Sequence, residues 1–191
     1  MAKLFNALGL MSGTSMDGID VALIETDGVD VARPLATHFV TYPEPFREVL
    51  REAFRRSVRL RDRQARPGTL TATEYGLTMR HADAVREFRR RHLEKPIELI
   101  GFHGQTVLHR PIAEPGLPRV TVQLGDGPAL ARETGIGVVY NLRAADFAAG
   151  GQGAPLVPAY HRAIVATVPE RPVAVLNIGR GGKCHVHWRR R

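Results

Sequence analysis

A polar turn between two strand-like segments constrains the fold of this chain more than any other feature. Phe5 to Leu10 and Ile19 to Thr26 are rich in apolar residues, and the second segment alternates Ile19, Val21 and Leu23 with Asp20, Ala22 and Ile24. A third segment, Ala36 to Tyr42, follows the Asp27-Gly28 turn signal and ends before Pro43. The pattern predicts a three-stranded antiparallel meander at the start of the chain.

Helices follow the meander and then alternate with further strands. Helical spacing predicts a first helix that ends before Arg66-Pro67-Gly68, with its apolar positions at Phe46, Val49, Leu50, Ala53, Phe54 and Val58. A capping-box pattern at Thr71 and Glu74 predicts a second helix as far as about Leu93, and Asp126 and Gly135 would begin and end a third. Short strands are predicted at Leu99 to Phe102, Val120 to Leu124, Ile136 to Tyr140 and Val173 to Ile178. This order predicts an α/β domain with a mixed sheet and flanking helices.

The overall composition narrows the class of protein. The chain is 43% hydrophobic, enough for a proper core, but no apolar run approaches the roughly 18 residues that span a bilayer. Its N-terminus shows no signal-peptide pattern, so we expect a cytoplasmic protein without membrane contact. The single cysteine, Cys184, cannot form an internal disulfide and lacks zinc-site spacing, so neither a metal cluster nor redox chemistry is expected.

The net charge of +8 raises the alternative of a basic nucleic-acid-binding protein. The charge is uneven, because residues 180–191 hold five basic side chains and no acid: Arg180, Lys183, Arg189, Arg190 and Arg191. No aromatic platform or recognised binding motif accompanies it, and a solvated helix face is the simpler interpretation of the other arginines. We therefore expect no nucleic-acid partner.

The turn from Met11 to Gly18 has the composition of an anion site. It packs backbone amides, two glycines and three hydroxyls into eight residues, and such amides can form a concavity for phosphate oxygens. It lacks the Gly-Lys-Ser/Thr ending of a P-loop, and an ordinary glycine-containing hairpin explains the spacing equally well. Asp17 and Asp20 could approach a magnesium ion through water or simply brace the turn.

A second candidate site begins at Asp146. Residues 146–158 are too rich in glycine and proline for an ordinary helix or strand and predict a shaped loop. A carboxylate at the start of such a loop is a candidate general base, or else a surface acid that caps a turn. His103 and Gln105 follow a predicted buried strand, and Gln123 ends another, so these three could face a ligand or be structural.

Together these segments resemble the signature blocks of the anhydro-N-acetylmuramic acid kinase family. The matching blocks are Gly9 to Asp20, Gly101 to Thr106 and Asp146 to Pro158, and the resemblance covers residues from about 4 to 179. It implies the N-terminal lobe of an actin-like ATPase fold, in the hexokinase and Hsp70 superfamily. It also implies that Asp146 is the catalytic base and that the ATP phosphates are bound by Gly13, Thr14, Ser15, Met16, Asp17, Gly18, Ile19 and Asp20.

The resemblance implies a particular reaction. Members of the family use ATP, with Mg²⁺ expected, to convert 1,6-anhydro-N-acetylmuramic acid and water into N-acetylmuramic acid 6-phosphate during peptidoglycan recycling. We assign the amino sugar as the substrate, with His103, Gln105 and Gln123 as candidate sugar-binding residues and the metal ligands unassigned. The resemblance also suggests a homodimer.

The family pattern stops after Val173 to Gly179. We interpret residues 1–179 as the kinase lobe and residues 180–191 as a basic tail unlike the family, of the kind that a shifted reading frame produces. The C-terminal lobe, which in this superfamily closes the cleft over the nucleotide, is expected to be absent. Little or no kinase activity is then expected from the chain alone. The alternative is a non-catalytic sugar- or nucleotide-binding remnant.

Overall fold

A computed structural model of the chain describes residues 3–169, 173–179 and 182–188. Within them lie eight strands and five helices. In chain order they are β1 Phe5–Ser12, β2 Gly18–Thr26, β3 Ala32–Thr41, α1 Glu44–Ser57, α2 Leu70–Arg91, β4 Leu99–Arg110, β5 Val120–Leu124, α3 Gly127–Thr134, β6 Gly137–Tyr140, α4 Leu142–Ala148, α5 Pro158–Val165, β7 Val173–Gly179 and β8 Gly182–Trp188. The order confirms an α/β domain with flanking helices.

The main sheet is mixed and has six strands. Its order is β3-β2-β1-β4-β5, with β6 paired to β4, and the first three strands form the predicted antiparallel meander. Strands β1, β4 and β6 run parallel, so their carboxyl ends meet at one edge of the sheet. The turn after β1 and helix α4 after β6 both begin at this edge, which we call the carboxyl edge.

The alternation in β2 correctly predicted which face of the sheet is buried. Ile19, Val21 and Leu23 are at most 1% exposed, and Leu8 and Leu10 of β1 are buried on the same core cluster. Each of these side chains contributes about 1.5–3 kcal/mol by leaving water. Helices α1 and α2 pack on the sheet here, so the meander is held from one side by the helical layer.

Helix α3 begins and ends as the sequence predicts. The Asp126 carboxylate accepts a hydrogen bond from the Ala129 amide at 2.9 Å, and Gly135 closes the helix in the left-handed conformation at φ 70°.

Helix α1, in contrast, buries a narrower stripe than predicted. Phe46, Leu50, Ala53 and Ser57 are buried, whereas the remaining predicted apolar positions, Val49, Phe54 and Val58, are exposed because the helix meets the core along that single row.

Three local predictions were wrong. Helix α2 starts at Leu70 after Thr69, so Thr71 does not cap it, and Glu74 instead pairs with Arg66 at 2.8 Å. The strand predicted from Leu99 to Phe102 extends to Arg110, because its second half gains β5 as a partner, and Gly101 to Thr106 therefore lie within β4. The segment at Asp146 begins as a helix, described below.

A separate two-stranded antiparallel sheet follows the main sheet in the chain. Strand β7 pairs with β8, with Val175 opposite Val186 and Val173 opposite Trp188. The sequence pattern predicted β7 but not β8, because the basic composition of residues 180–191 obscured its extended segment. None of the described helices is long and apolar enough to cross a membrane.

Candidate active site

The turn between β1 and β2 is tight and exposes its polar side chains. The Met16 amide donates to the Gly13 carbonyl at 3.1 Å, and Met16 adopts a positive φ of 54° while its side chain enters the core. Thr14, Ser15 and Asp17 are exposed. The turn thus presents two hydroxyls and a carboxylate to solvent at the carboxyl edge.

Buried hydrogen bonds anchor the turn to the sheet. The Ser12 hydroxyl donates to Gln105 Oε1 at 2.6 Å and accepts from the Tyr42 hydroxyl at 3.0 Å. Burial raises the pKa of Tyr42, so it stays protonated and can keep donating. The Tyr42 amide donates to the Asp17 carbonyl at 2.9 Å, and Arg47 Nε donates to the Met16 carbonyl at 3.2 Å. The turn is therefore preorganised.

The two aspartates of this segment experience different environments. A hydrogen bond of 2.6 Å from the Ser15 hydroxyl lowers the pKa of Asp17 below its usual value. Burial, and secondarily the charge of Asp17, raises the pKa of Asp20. The repulsion between the two carboxylates would be relieved by a cation. Among the described residues, no group of three or more His, Cys, Asp or Glu side chains is arranged to hold a metal.

Gly18 and Ile19 have structural reasons for their identities. A Cβ on Gly18 would lie 2.4 Å from the Val40 carbonyl oxygen and 2.5 Å from the Phe39 ring, so only glycine permits this approach of β2 and β3. The Ile19 side chain is fully buried in the core. Either residue could therefore offer a phosphate group only its backbone.

Asp146 lies on helix α4, not at the start of a loop. Leu142 to Ala148 form a short helix because the glycines that break the pattern begin only at Gly150. The half-buried Asp146 carboxylate folds back over the following loop, where Oδ2 accepts from the Gly153 amide at 2.7 Å. A Cβ on Gly151 would lie 2.1 Å from Oδ2, so glycine leaves the space for the carboxylate.

His103 is connected to the Asp146 loop by an arginine that the sequence did not single out. Arg143 Nε donates to His103 Nε2 at 2.8 Å, and Arg143 Nη1 donates to the Gly153 carbonyl at 2.8 Å. Burial, and then the Arg143 charge, lowers the pKa of His103. Sequence spacing could have identified Arg143, since it precedes Asp146 by three residues and so shares its helix face.

The two candidate glutamines brace the sheet. Gln105 is fully buried, and its Nε2 donates to the Thr106 carbonyl at 3.2 Å while Oε1 receives Ser12. Gln123 Nε2 donates to Thr121 Oγ1 at 2.8 Å. The structure does not gather His103, Gln105 and Gln123 around one open surface, and their role in sugar binding stays a prediction.

Cavities open at both ends of the parallel strands. One of about 310 Å³ opens at the carboxyl edge, where its polar lining includes Arg63, Gln64, Asp126, Tyr140 and Asn141. A larger one of about 400 Å³ lies at the amino ends of β4 and β6, beside Lys95 and Ile136, and shares no lining residue with the candidate site. A third cavity of about 270 Å³ is lined by Ala144 and Phe147 together with Arg119 and Thr121, so it borders the helix that carries Asp146.

The architecture defines a class of protein. A meander with a hydroxyl-rich turn after its first strand, continued by parallel strands β4 and β6 with a carboxylate after β6, matches one lobe of the actin-like ATPase fold that sugar kinases share.

Comparison with known proteins narrows the class to one family. The family model described as anhydro-N-acetylmuramic acid kinase matches residues 5–186, which extends past Gly179. Proteins of that name from Nitrobacter winogradskyi and Bradyrhizobium diazoefficiens are 49% and 50% identical over 179 residues, and one from Agrobacterium fabrum is 48% identical over 184. These alignments cover 92%, 92% and 94% of this chain, and 48%, 47% and 48% of the relatives. The chain belongs to the anhydro-N-acetylmuramic acid kinase family, and it spans about half the length of these curated relatives.

Proposed function

We propose that this chain supplies the phosphate turn and the catalytic base of an ATP-dependent kinase. The reaction converts 1,6-anhydro-N-acetylmuramic acid and water into N-acetylmuramic acid 6-phosphate. The observation that supports it most is the shared edge: the turn from Gly13 to Asp17 follows β1, Asp146 follows β6, and both strands run parallel to β4 between them. Such an edge is where ligands bind in open α/β sheets.

Asp146 is suited to remove a proton from water. Its Oδ2 is held by the Gly153 amide, and no hydrogen bond to Oδ1 is found within the described part of the chain, so Oδ1 is the oxygen available as the base. Water deprotonated by this oxygen attacks the anomeric carbon and opens the anhydro bridge. The released O6 then attacks the γ-phosphate of ATP. General base catalysis of this kind typically contributes about 10²–10⁴-fold to the rate.

The turn after β1 would hold the ATP phosphates. Thr14 offers a hydroxyl donor, and the amides of Gly13, Thr14 and Ser15 add backbone donors at a position that buried bonds already fix. Phosphoryl transfer depends mainly on positioning and charge neutralisation, so a preorganised turn is what the reaction requires.

Mg²⁺ is suited to the neighbourhood of Asp17 and Asp20. Magnesium keeps several waters and usually binds one or two carboxylates together with substrate phosphates, so two aspartates beside the phosphate turn suffice. Asp20, whose pKa is raised by burial and by the negative charge of Asp17, would gain most from the cation. When bound, the ion would neutralise charge on the phosphates.

The amino sugar is a better partner for this lobe than a nucleic acid. The arginines of α1 are neutralised by neighbouring glutamates, with Arg51 and Arg55 each 2.7–2.9 Å from two of them. That helix face is consequently not a free cationic surface. We also propose a cytoplasmic location, where ATP is available, and leave the homodimer as a prediction.

The test uses a fusion enzyme, in which residues 1–179 are joined to the part of the Agrobacterium fabrum relative that follows the position aligned with Gly179. ADP release is measured with ATP and the anhydro sugar. Asp146→Asn should lower turnover by at least about 10²-fold while ATP affinity stays within about twofold, because the base acts on water and not on the nucleotide. Asp83→Asn, an exposed carboxylate on α2, is the matched control. Normal turnover in Asp146→Asn would refute the assignment of the base.

A further inference from the structure

Arg143 occupies the centre of a continuous chain of hydrogen bonds. On one side its Nε reaches His103 Nε2 on β4, at 2.8 Å. On the other side its Nη1 reaches the Gly153 carbonyl at 2.8 Å, and the Gly153 amide donates to Asp146 Oδ2 at 2.7 Å. The sheet, the glycine loop and the carboxylate are thereby linked through one side chain.

The chemistry of the guanidinium fixes the state of His103. A guanidinium can only donate, so His103 Nε2 must be an acceptor without a proton. The single ring proton then lies on Nδ1, which is 2.9 Å from the Gly104 carbonyl and donates to it. Burial and the Arg143 charge also hold the pKa of His103 below its usual value. His103 is therefore a neutral acceptor for Arg143 and not an acid or base.

Gly153, where the chain of hydrogen bonds reaches the loop, positions the Asp146 carboxylate. Gly153 has a φ of 75°, and a Cβ there would lie 2.9 Å from the Phe147 ring, so this residue is pressed against α4. Arg143 fixes the carbonyl of Gly153, while its amide fixes Asp146 Oδ2. A lysine at position 143 would keep the positive charge but offers a single ammonium in place of a planar fork, so it cannot hold both contacts in this geometry.

We propose that Arg143 is a positioning residue for the catalytic base: it ties Gly153 to His103 and so sets the orientation of the Asp146 carboxylate. The positioning role rests on the proposed kinase function, because that function makes Asp146 the base. The link itself is a property of this chain and can be measured without ATP or sugar.

The experiment is an NMR titration of the labelled 191-residue chain. Imidazole nitrogen shifts report the tautomer and pKa of His103. The Gly153 amide proton reports ionisation of Asp146, because it donates to that carboxylate. In the unaltered chain we expect the Nδ1–H tautomer of His103 and a Gly153 amide that moves as Asp146 titrates.

Two variants separate the charge of Arg143 from its geometry. Arg143→Gln should raise the pKa of His103 and remove at least half of the Gly153 response. Arg143→Lys should leave the His103 pKa low and still remove that response. Arg119, which donates to the Gly151 carbonyl and lies 4.5 Å from the Phe147 ring centre, keeps the loop on α4 in both variants. Arg132→Gln, an exposed arginine on α3, is the control and should change neither signal.

Three results would overturn the proposal: an Nε2–H tautomer in the unaltered chain, an unchanged Gly153 response in either Arg143 variant, or an equal loss in Arg132→Gln. If Arg143→Gln fails to fold, the tautomer of His103 in the unaltered chain and the Gly153 response in Arg143→Lys still test the proposal. The NMR measurements involve no turnover. If the fusion enzyme had no kinase activity while the NMR results were as expected, the proposed function would be refuted and the positioning role of Arg143 would stand.

Discussion

Replacing Gly151 by alanine should displace the Asp146 carboxylate and affect turnover more than folding. The added Cβ would lie 2.1 Å from Asp146 Oδ2 and 2.4 Å from Cγ, with the nearer contact about 1.3 Å short of the 3.4 Å at which ordinary contact begins. The backbone at Gly151 has an ordinary φ, so alanine itself is not strained. The half-buried carboxylate is the group that gives way, and its bond to the Gly153 amide breaks.

The size of the effect follows from that displacement. A reacting group misplaced by about 1 Å costs on the order of 10²-fold in rate, whereas loss of one hydrogen bond to a charged group costs about 1.5–3 kcal/mol of stability at most. In the fusion enzyme, Gly151→Ala should therefore lower kcat by about 10²-fold with a nearly unchanged KM for ATP.

Gly150→Ala provides the matched comparison. Its Cβ would meet nothing within 4 Å, but its φ of 91° strains alanine. That variant should lose about 1–2 kcal/mol of stability in urea unfolding and keep most of its activity. If Gly151→Ala retained full kcat, or if Gly150→Ala lost as much, the carboxylate would not be positioned as described.

Two further predictions concern stability and are measured by urea unfolding of the 191-residue chain. Gly18→Ala should lower the free energy of unfolding by about 1–3 kcal/mol, because its Cβ meets the Val40 carbonyl and the Phe39 ring. The control Gly101→Ala, whose Cβ meets nothing within 4 Å, should change it by less than about 0.5 kcal/mol. Equal effects of the two substitutions would refute the close approach of β2 and β3 at Gly18. Burial lowers the pKa of His81 from 6.5 to about 4, so the unfolded chain binds the proton more readily and stability is lost as pH falls from about 6.5 towards 4. The loss is of order 3 kcal/mol, and His81→Leu should reduce the difference in stability between pH 7 and pH 4.5; an unchanged difference would exclude His81 as its source.

Local patterns predicted those parts of the fold that local physics determines. Alternation in β2 identified its buried face, and Asp126 and Gly135 marked the ends of α3, because these signals reside in neighbouring residues. The extension of β4 to Arg110 depends on pairing with β5, a contact between segments apart in the chain. The supposed capping pair failed for the same reason, since Glu74 bonds to Arg66 and to the Gly125 amide.

In the candidate site, too, local sequence patterns predicted some residues and missed those whose partners are distant in the chain. The turn after β1 and Asp146 stood out from the composition of their segments. Arg143 did not, because its importance arises from partners on β4 and in the glycine loop, 40 residues before it and 10 after it. The short helix α4 was hidden by the glycines that follow it.

The reaction in H₂¹⁸O tests the central claim most directly. The fusion enzyme is incubated with ATP and 1,6-anhydro-N-acetylmuramic acid, and the products are analysed promptly by mass spectrometry. If Asp146 directs water to the anomeric carbon and O6 accepts the phosphoryl group, one ¹⁸O should appear in the sugar of N-acetylmuramic acid 6-phosphate and none in its phosphate. ADP formed with ¹⁸O in free phosphate, and no phosphorylated sugar, would contradict the account.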